Sequence, residues 1–78
     1  MRRTFEFFVD SEDDNVFAIE TGPDGNWLPA EEGTKGPRVF KILSNASLKP
    51  LSWETASRWK RRAWRVSKEE ALRKAGAL

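Results

Sequence analysis

The chain has 78 residues, of which 38% are hydrophobic, 12% aromatic and 33% charged, a balance typical of a small soluble globule and not of a disordered tail. It contains neither His nor Cys, which excludes disulfides, thiolate zinc sites, cysteine nucleophiles and imidazole bases. The net charge of +2 is unevenly divided: residues 1–50 carry six basic and nine acidic side chains, and residues 51–78 carry eight and three. Such asymmetry indicates an interaction surface.

The length predicts a single domain over residues 1–78. No apolar stretch approaches the roughly 20 residues needed to cross a bilayer. Arg2 and Arg3 are not followed by an apolar segment, so we expect no secretory signal. The sequence therefore predicts a cytoplasmic protein without a membrane partner.

Residues 1–21 are predicted to form a β-hairpin. Strand alternation places Phe5, Phe7 and Val9 on one face of the first strand, and Phe17 and Ile19 on the matching face of the second. The polar run at 10–15 between them suits a hairpin loop, so the two strands are expected to pair antiparallel.

Residues 22–37 are predicted to form a long loop that is functional or mobile. The segment holds four of the five glycines and three of the four prolines, and it shows no apolar period. A third strand is expected at 38–43. Its inward side chains are either Phe40 and Ile42 or Val39 and Leu43.

Residues 52–75 are predicted to be helical and basic. Ser52 suits the start of one helix, and the capping box that begins at Ser67 suits a second helix starting at Lys68 and stopping at Gly76. One bent helix over 53–75 is the alternative.

The predicted fold is α+β: a three-stranded antiparallel sheet covered by one amphipathic helix at 52–64, with a short C-terminal helix at one end. The expected core combines large apolar side chains of these elements. It consists of Phe5, Phe7, Phe17, Ile19, Ile42, Leu51, Trp53, Trp59, Trp64 and Leu72.

Four arginines form the most informative pattern. Arg58, Arg61, Arg62 and Arg65 are spaced i, i+3, i+4 and i+7, so on one helix they form a row opposite the Trp side chains. Guanidinium groups bind phosphate and carboxylate in a bidentate manner. Such a row suits a nucleic-acid backbone or an acidic protein surface. The alternatives are a solvated helix face and neutralisation within the molecule by the acidic loop at 10–14.

Trp27 and Leu28 stand in the glycine- and proline-rich loop, where no periodicity requires burial. An aromatic side chain on such a loop suits an apolar anchor for a partner. The alternative is that Trp27 folds back over the small core.

No catalytic or metal-binding motif is found in the sequence. Asp10, Glu12, Asp13 and Asp14 lack the ligand spacing of a calcium loop, and the adjacent Glu31 and Glu32 have no framework that would hold them across a substrate. We therefore expect no enzyme activity, cofactor, metal or small-molecule substrate.

The favoured functional interpretation is a small regulatory binding protein that docks on a larger protein machine, for example an inhibitor of phage or plasmid type acting on a host enzyme. Its partner would have an acidic surface, contacted by the arginine row and by Trp27 and Leu28. The alternative is a nucleic-acid-binding module that uses the arginines on phosphates. The sequence leaves the oligomeric state and the choice of partner open.

Overall fold

The fold is α+β, with a five-stranded antiparallel sheet and two short helices. The computed structural model describes residues 3–30 and 36–78. The strands have the order β4-β3-β2-β1-β5 in the sheet, and every neighbouring pair is antiparallel. In chain order the elements are β1 (Thr4–Asp10), β2 (Val16–Thr21), β3 (Val39–Ile42), β4 (Leu48–Leu51), α1 (Trp53–Lys60), β5 (Ala63–Val66) and α2 (Lys68–Lys74).

Each face of the sheet is covered by one helix. Successive side chains of a strand point to opposite faces. Phe8 and its cross-strand partner Phe17 belong to the cluster packed against α1, whereas Val9 and its partner Val16 belong to the cluster packed against α2. Because β4 and β5 lie at opposite edges, α1 crosses one face of the sheet to connect them.

The predicted facing of the hairpin is wrong. Phe5, Phe7 and Val9 lie on the α2 side, but Phe17 and Ile19 lie on the α1 side. Both strands carry apolar side chains on both faces, as the buried centre of a two-sided sheet requires. Alternation alone therefore did not determine which face of β1 matches which face of β2.

Trp59 anchors α1 to the sheet. Its indole stacks on the ring of Phe17, with centroids 3.9 Å apart and planes inclined by 7°, and the ring of Phe8 lies 6.1 Å away. Ala56 is fully buried and lets the helix approach the strands closely. The predicted contact between this helix and the sheet is therefore confirmed. The buried members of this cluster are Phe8, Phe17, Ile19, Val39, Ala56 and Trp59.

A second cluster lies under α2. Ala71 is the buried residue of that helix and packs against the opposite face of the sheet. Ile42 of β3 faces this side, whereas Val39 faces α1, so the third strand contributes to both cores. The buried members are Val9, Val16, Ala18, Ile42 and Ala71.

The sheet has two strands that were not predicted, and residues 52–75 are not continuously helical. β4 was overlooked because it contains Pro50, which a strand tolerates at the edge of a sheet. Successive side chains of β5 point to opposite faces of the sheet, so Ala63 belongs to the α1 cluster and Val66 to the α2 cluster. The helical period assigned to residues 63–66 was wrong.

The predicted core is confirmed in part. Trp64 is the exception, since 48% of its surface is exposed on the edge strand β5. Fully buried are Phe17, Ile19, Ile42 and Trp59. Partly buried are Phe5, Phe7, Leu51, Trp53 and Leu72.

The predicted helix boundaries are confirmed where side chains cap the backbone. The N–H of Thr55 donates to Ser52 Oγ at the start of α1. The N–H of Glu70 donates to Ser67 Oγ at the start of α2. Gly76 follows α2 with a φ of +80°, the conformation that glycine adopts at helix ends. The alternative of one bent helix is excluded.

The described part of the 22–37 segment is attached to the sheet by backbone hydrogen bonds. The N–H of Leu28 donates to the carbonyl of Glu20, and the N–H of Arg38 donates to the carbonyl of Leu28. Trp27 forms a β-bridge with Thr21. Residues 22–30 are therefore paired and not a structureless loop. Glu31 and Glu32 lie outside the described residues.

Gly36 offers a test of how closely this segment approaches α1. Its φ is +91°, and a Cβ there would stand 2.6 Å from the Cβ of Trp53. Gly25 has a φ of +83° and open space around it. We expect Gly25→Ala to lower the free energy of unfolding by about 1 kcal/mol through backbone strain, and Gly36→Ala by about 1–3 kcal/mol more through the clash. Urea unfolding of both variants measures the difference, and equal losses would contradict the close approach.

Candidate functional site

The four arginines do not form a helical row. Arg58 lies in α1, Arg61 caps the end of that helix, Arg62 lies between α1 and β5, and Arg65 lies in β5. Because the helix ends at Lys60, the i, i+3, i+4, i+7 geometry does not exist. The predicted common face for these side chains is wrong.

Arg62 is held by the protein's own acidic loop. Its Nε and Nη2 donate to the two carboxylate oxygens of Asp10 at 2.9 and 3.0 Å. Its Nη1 lies 3.2 Å from Glu12 Oε2, and its Nη2 lies 3.5 Å from Asp13 Oδ2. Internal neutralisation, the alternative considered from the sequence, is confirmed for this arginine.

The Asp10 carboxylate is a buried structural anion. Only 2% of its side chain is exposed. The hydrogen bonds from Arg62 hold its pKa below the ordinary value for Asp, against the effect of burial, which raises the pKa. The same hydrogen bonds raise the pKa of Arg62. Asp10 therefore stays ionised at neutral pH, and its charge is matched within the protein.

Trp27 rests against α1. Its Nε1–H donates to Glu6 Oε1 at 2.9 Å, its ring lies 6.2 Å from that of Trp53, and Lys60 Nζ lies 5.7 Å from its centroid. The second oxygen of Glu6 is 3.9 Å from Arg65 Nη1, so Arg65 also has an internal partner. The alternative that Trp27 folds back over the core matches these contacts, although 40% of its surface remains exposed.

Leu28 does not project as a free anchor. It is half-buried, and its Cδ2 would stand 3.1 Å from a Cβ placed on Gly22. Its backbone N–H and carbonyl both take part in the pairing with the sheet. Of the predicted pair, Trp27 therefore presents more accessible apolar surface than Leu28.

A groove of about 370 Å³ lies between α1 and the end of the sheet. Thr55, Arg58 and Trp59 line it from α1, on a different side of the helix from the residues that contact Trp27. We call it the cationic groove, because basic side chains outnumber acidic ones. Its charged lining is Lys41, Lys49, Arg58, Arg62, Asp10 and Asp13.

Two lysines of the cationic groove repel each other. Lys41 of β3 and Lys49 of β4 are direct cross-strand partners, an arrangement that is destabilising for like charges. Arg58 borders the same groove from α1. Across residues 3–30 and 36–78, none of these three cations forms a salt bridge. Within the described part of the chain, these three positive charges therefore lie together without a salt-bridged carboxylate of their own.

Trp59 lines the cationic groove and has an unused donor. Its Nε1 is buried and has no hydrogen-bond partner, and it is the only such side-chain atom among the described residues. Buried polar groups are nearly always paired in folded proteins, so an unpaired one requires an explanation.

The sequence by itself does not indicate Lys41 and Lys49 as residues of the candidate site. They flank the tight turn at 43–47, in which the N–H of Leu43 donates to the carbonyl of Ser47 and Ala46 has a φ of +68°. Recognising this hairpin would have placed the two lysines opposite each other. Pro50 is disfavoured in a central strand, so the sequence did not indicate a strand at 48–51.

Within the described residues, neither helix is long and apolar enough to cross a membrane. Over the same residues, no three acidic side chains are grouped so that they could hold a metal ion. Comparison of the chain with protein-family models, with curated proteins and with solved structures found no match.

Proposed function

We propose that this protein is a small non-catalytic regulator that docks on a larger protein through an acidic patch of that partner. The single observation that carries the proposal is the cross-strand pair Lys41–Lys49 beside Arg58, without internal salt bridges in the described residues. An anionic partner would reduce the repulsion among these cations when it binds. The repulsion destabilises the free protein, so its relief favours formation of the complex.

Glu20, Glu69 and Glu70, which lie outside the acidic loop at 10–14, are paired with arginines within the protein. Glu20 is buried and bound by both Nε and Nη2 of Arg3 at 3.0 Å, and Arg38 lies 3.8 Å away. Arg73 binds Glu69 and Glu70 on α2. These carboxylates are matched by neighbouring cations, which reduces their repulsion of a negatively charged partner.

The proposed surface differs from the one predicted from the sequence. It retains Arg58 and adds Lys41 and Lys49, whereas Arg61, the C-cap of α1, does not line the groove. Arg62 and Arg65 have carboxylate neighbours within the protein. The exposed part of Trp27 remains available as a secondary contact on the other side of α1. An inhibitor of phage or plasmid type would act by covering the acidic surface of its target.

The test compares two charge-reversed baits in capture experiments. Lys49→Glu/Arg58→Glu changes the cationic groove, and Lys68→Glu/Lys74→Glu makes the same change of net charge at the two ends of α2. We expect wild type and the α2 variant to capture the same partner, and the groove variant to lose at least about tenfold in binding, the equivalent of roughly 1.4 kcal/mol. Equal capture by all three baits would contradict the proposal.

A fold control accompanies this test. Lys49→Glu replaces a like-charge pair with an opposite-charge pair against Lys41, which is stabilising. Arg58→Glu places an anion in the last turn of α1, which is destabilising. Because the two changes act in opposite directions, the double variant is expected to unfold within about 1 kcal/mol of wild type. Thermal unfolding followed by circular dichroism checks this. Lost capture by a fully folded variant then reports on the surface itself.

A nucleic-acid backbone is the second candidate, because the same three cations suit phosphates. If Lys41, Lys49 and Arg58 each contact one phosphate, affinity for random duplex DNA should fall with salt on a log–log slope of about −2.7. Gel shifts at 50 and 200 mM salt measure this. Saturable binding with that slope favours nucleic acid, and no binding at 50 mM favours the protein partner.

A further inference from the structure

We infer that the cationic groove is a binding site for a phosphoryl group presented by a side chain of the partner. The inference rests on the proposed function and deepens it, since it names the group that the groove recognises.

Charge balance in the cationic groove favours a dianion. Arg62 is shared by Asp10, Glu12 and Asp13, whereas Lys41, Lys49 and Arg58 form no salt bridge within residues 3–30 and 36–78. A single carboxylate would offset only one of these three positive charges. A phosphorylated side chain carries about −1.5 to −2 at pH 7 and presents three strong acceptor oxygens.

The available donors come from three directions. Lys41 and Lys49 approach from neighbouring strands of the sheet, and Arg58 approaches from α1 on the other wall. Ammonium groups bind phosphate as point charges, and a guanidinium forms two parallel hydrogen bonds with it. Trp59 also lines the groove, so its indole N–H resonance can report on an anion bound there.

The carboxylates of the groove are engaged by Arg62. Asp10 shares both oxygens with that guanidinium, and Asp13 lies 3.5 Å from its Nη2. The single positive charge of Arg62 is shared by these two carboxylates and Glu12, so this side of the groove keeps net negative charge. Lys41, Lys49 and Arg58 remain for the incoming anion. A volume of about 370 Å³ is at the small end of ligand sites, which suits one phosphorylated side chain and not a larger ligand.

The experiment follows the indole N–H resonances of the full chain in ¹⁵N-labelled protein. The probes are two blocked tripeptides, acetyl-Gly-phosphoserine-Gly-amide and acetyl-Gly-Asp-Gly-amide, and sodium chloride at matched ionic strength. Trp59→Phe identifies the resonance of Trp59 by its disappearance. We expect the phosphopeptide to shift that resonance in a saturable manner at pH 7.5, with at least tenfold weaker binding of the Asp peptide. Affinity for the phosphopeptide should fall at pH 5, because the phosphoryl group is then a monoanion.

Matched variants assign the effect to the groove. Lys49→Gln and Arg58→Gln should each weaken phosphopeptide binding at least about fivefold, whereas Lys68→Gln should leave it unchanged. The inference is overturned if the Trp59 resonance does not shift, if both peptides bind equally, or if the shift survives Lys49→Gln and Arg58→Gln together.

Different experimental outcomes would refute the docking surface and the phosphoryl-binding site. Lost capture by the groove variant with no phosphopeptide binding refutes the phosphoryl site and retains the docking surface. Phosphopeptide binding at the groove with unchanged capture refutes the docking surface and retains the site.

Discussion

Trp59→Ala is expected to lower the free energy of unfolding by about 3–5 kcal/mol, and to leave most of this short chain unfolded at 37 °C. Only 4% of Trp59 is exposed, and its indole is stacked on Phe17 at the centre of the contact between α1 and the sheet. Truncation would remove that contact and leave a cavity that helix and strands close only in part.

Two further variants make the result specific. Trp64→Ala removes a Trp that is 48% exposed at the sheet edge, and it should cost about 1 kcal/mol or less. Trp59→Phe keeps an aromatic ring against Phe17 and should lose less than Trp59→Ala. Urea unfolding followed by circular dichroism measures all three. A cooperatively folded Trp59→Ala within about 1 kcal/mol of wild type would contradict the packing of α1 on the sheet.

Arg62→Ala is expected to produce the second largest loss, a fall in melting temperature of about 10 °C at pH 7. The variant leaves the Asp10 carboxylate, of which 2% is exposed, without its bidentate partner. Removing one member of a buried pair costs more than the pair contributes, because the remaining charge is desolvated and uncompensated. Arg73→Ala removes an exposed arginine from its pairs with Glu69 and Glu70 on α2 and should change the melting temperature little.

The pH dependence of stability distinguishes the loss of the Asp10–Arg62 pair from a general loss of packing. In wild type the pKa of Asp10 is lowered by hydrogen bonds from Arg62, and that of Glu20 by hydrogen bonds from Arg3. The stabilisation from these groups is present above their unfolded pKa values of about 3.9 and 4.3, and it is lost as the pH falls through the lower folded values. Wild type should therefore lose stability below about pH 4.

In Arg62→Ala the Asp10 carboxylate loses the hydrogen bonds that lower its pKa most, whereas burial still raises this pKa and the backbone hydrogen bonds from Glu12 and Asp13 still lower it. The pKa of Asp10 therefore lies higher in the variant than in wild type, so the variant has less stabilisation to lose on acidification. The difference in melting temperature between wild type and variant should narrow as the pH falls from 7 through the lowered pKa of Asp10 in wild type. A difference that stays constant over this range would contradict the assignment of the loss to the Asp10 carboxylate.

Local signals were sufficient to predict part of this molecule. Ser52 and Ser67 mark helix starts because unpaired N–H groups at a helix end need an acceptor that lies within three residues in the chain. Gly76 marks an end for an equally local reason, its positive φ. The pairing of β1 with β2 followed from two apolar strands separated by a polar turn. These features do not depend on distant parts of the chain.

The candidate site could be predicted only in part. Arg58 was identified from the sequence, but Lys41 and Lys49 were not, because their meaning depends on the pairing of β3 with β4. Arg62 was assigned to a helix face, although it binds Asp10, which lies 52 residues earlier in the chain. No pattern in the residues next to Asp10 or Arg62 indicates that these two side chains pair.

The amino-acid order by itself determined the fold class, the helix caps and the absence of imidazole and thiol chemistry, since composition and short-range hydrogen bonding are written directly in it. The tertiary structure alone decided which face of each strand meets α1 or α2, and that residues 63–66 form an edge strand of the sheet. A short apolar stretch is compatible with both the helical and the strand period. Which of the two it adopts depends on the surfaces that distant parts of the chain provide to bury its side chains.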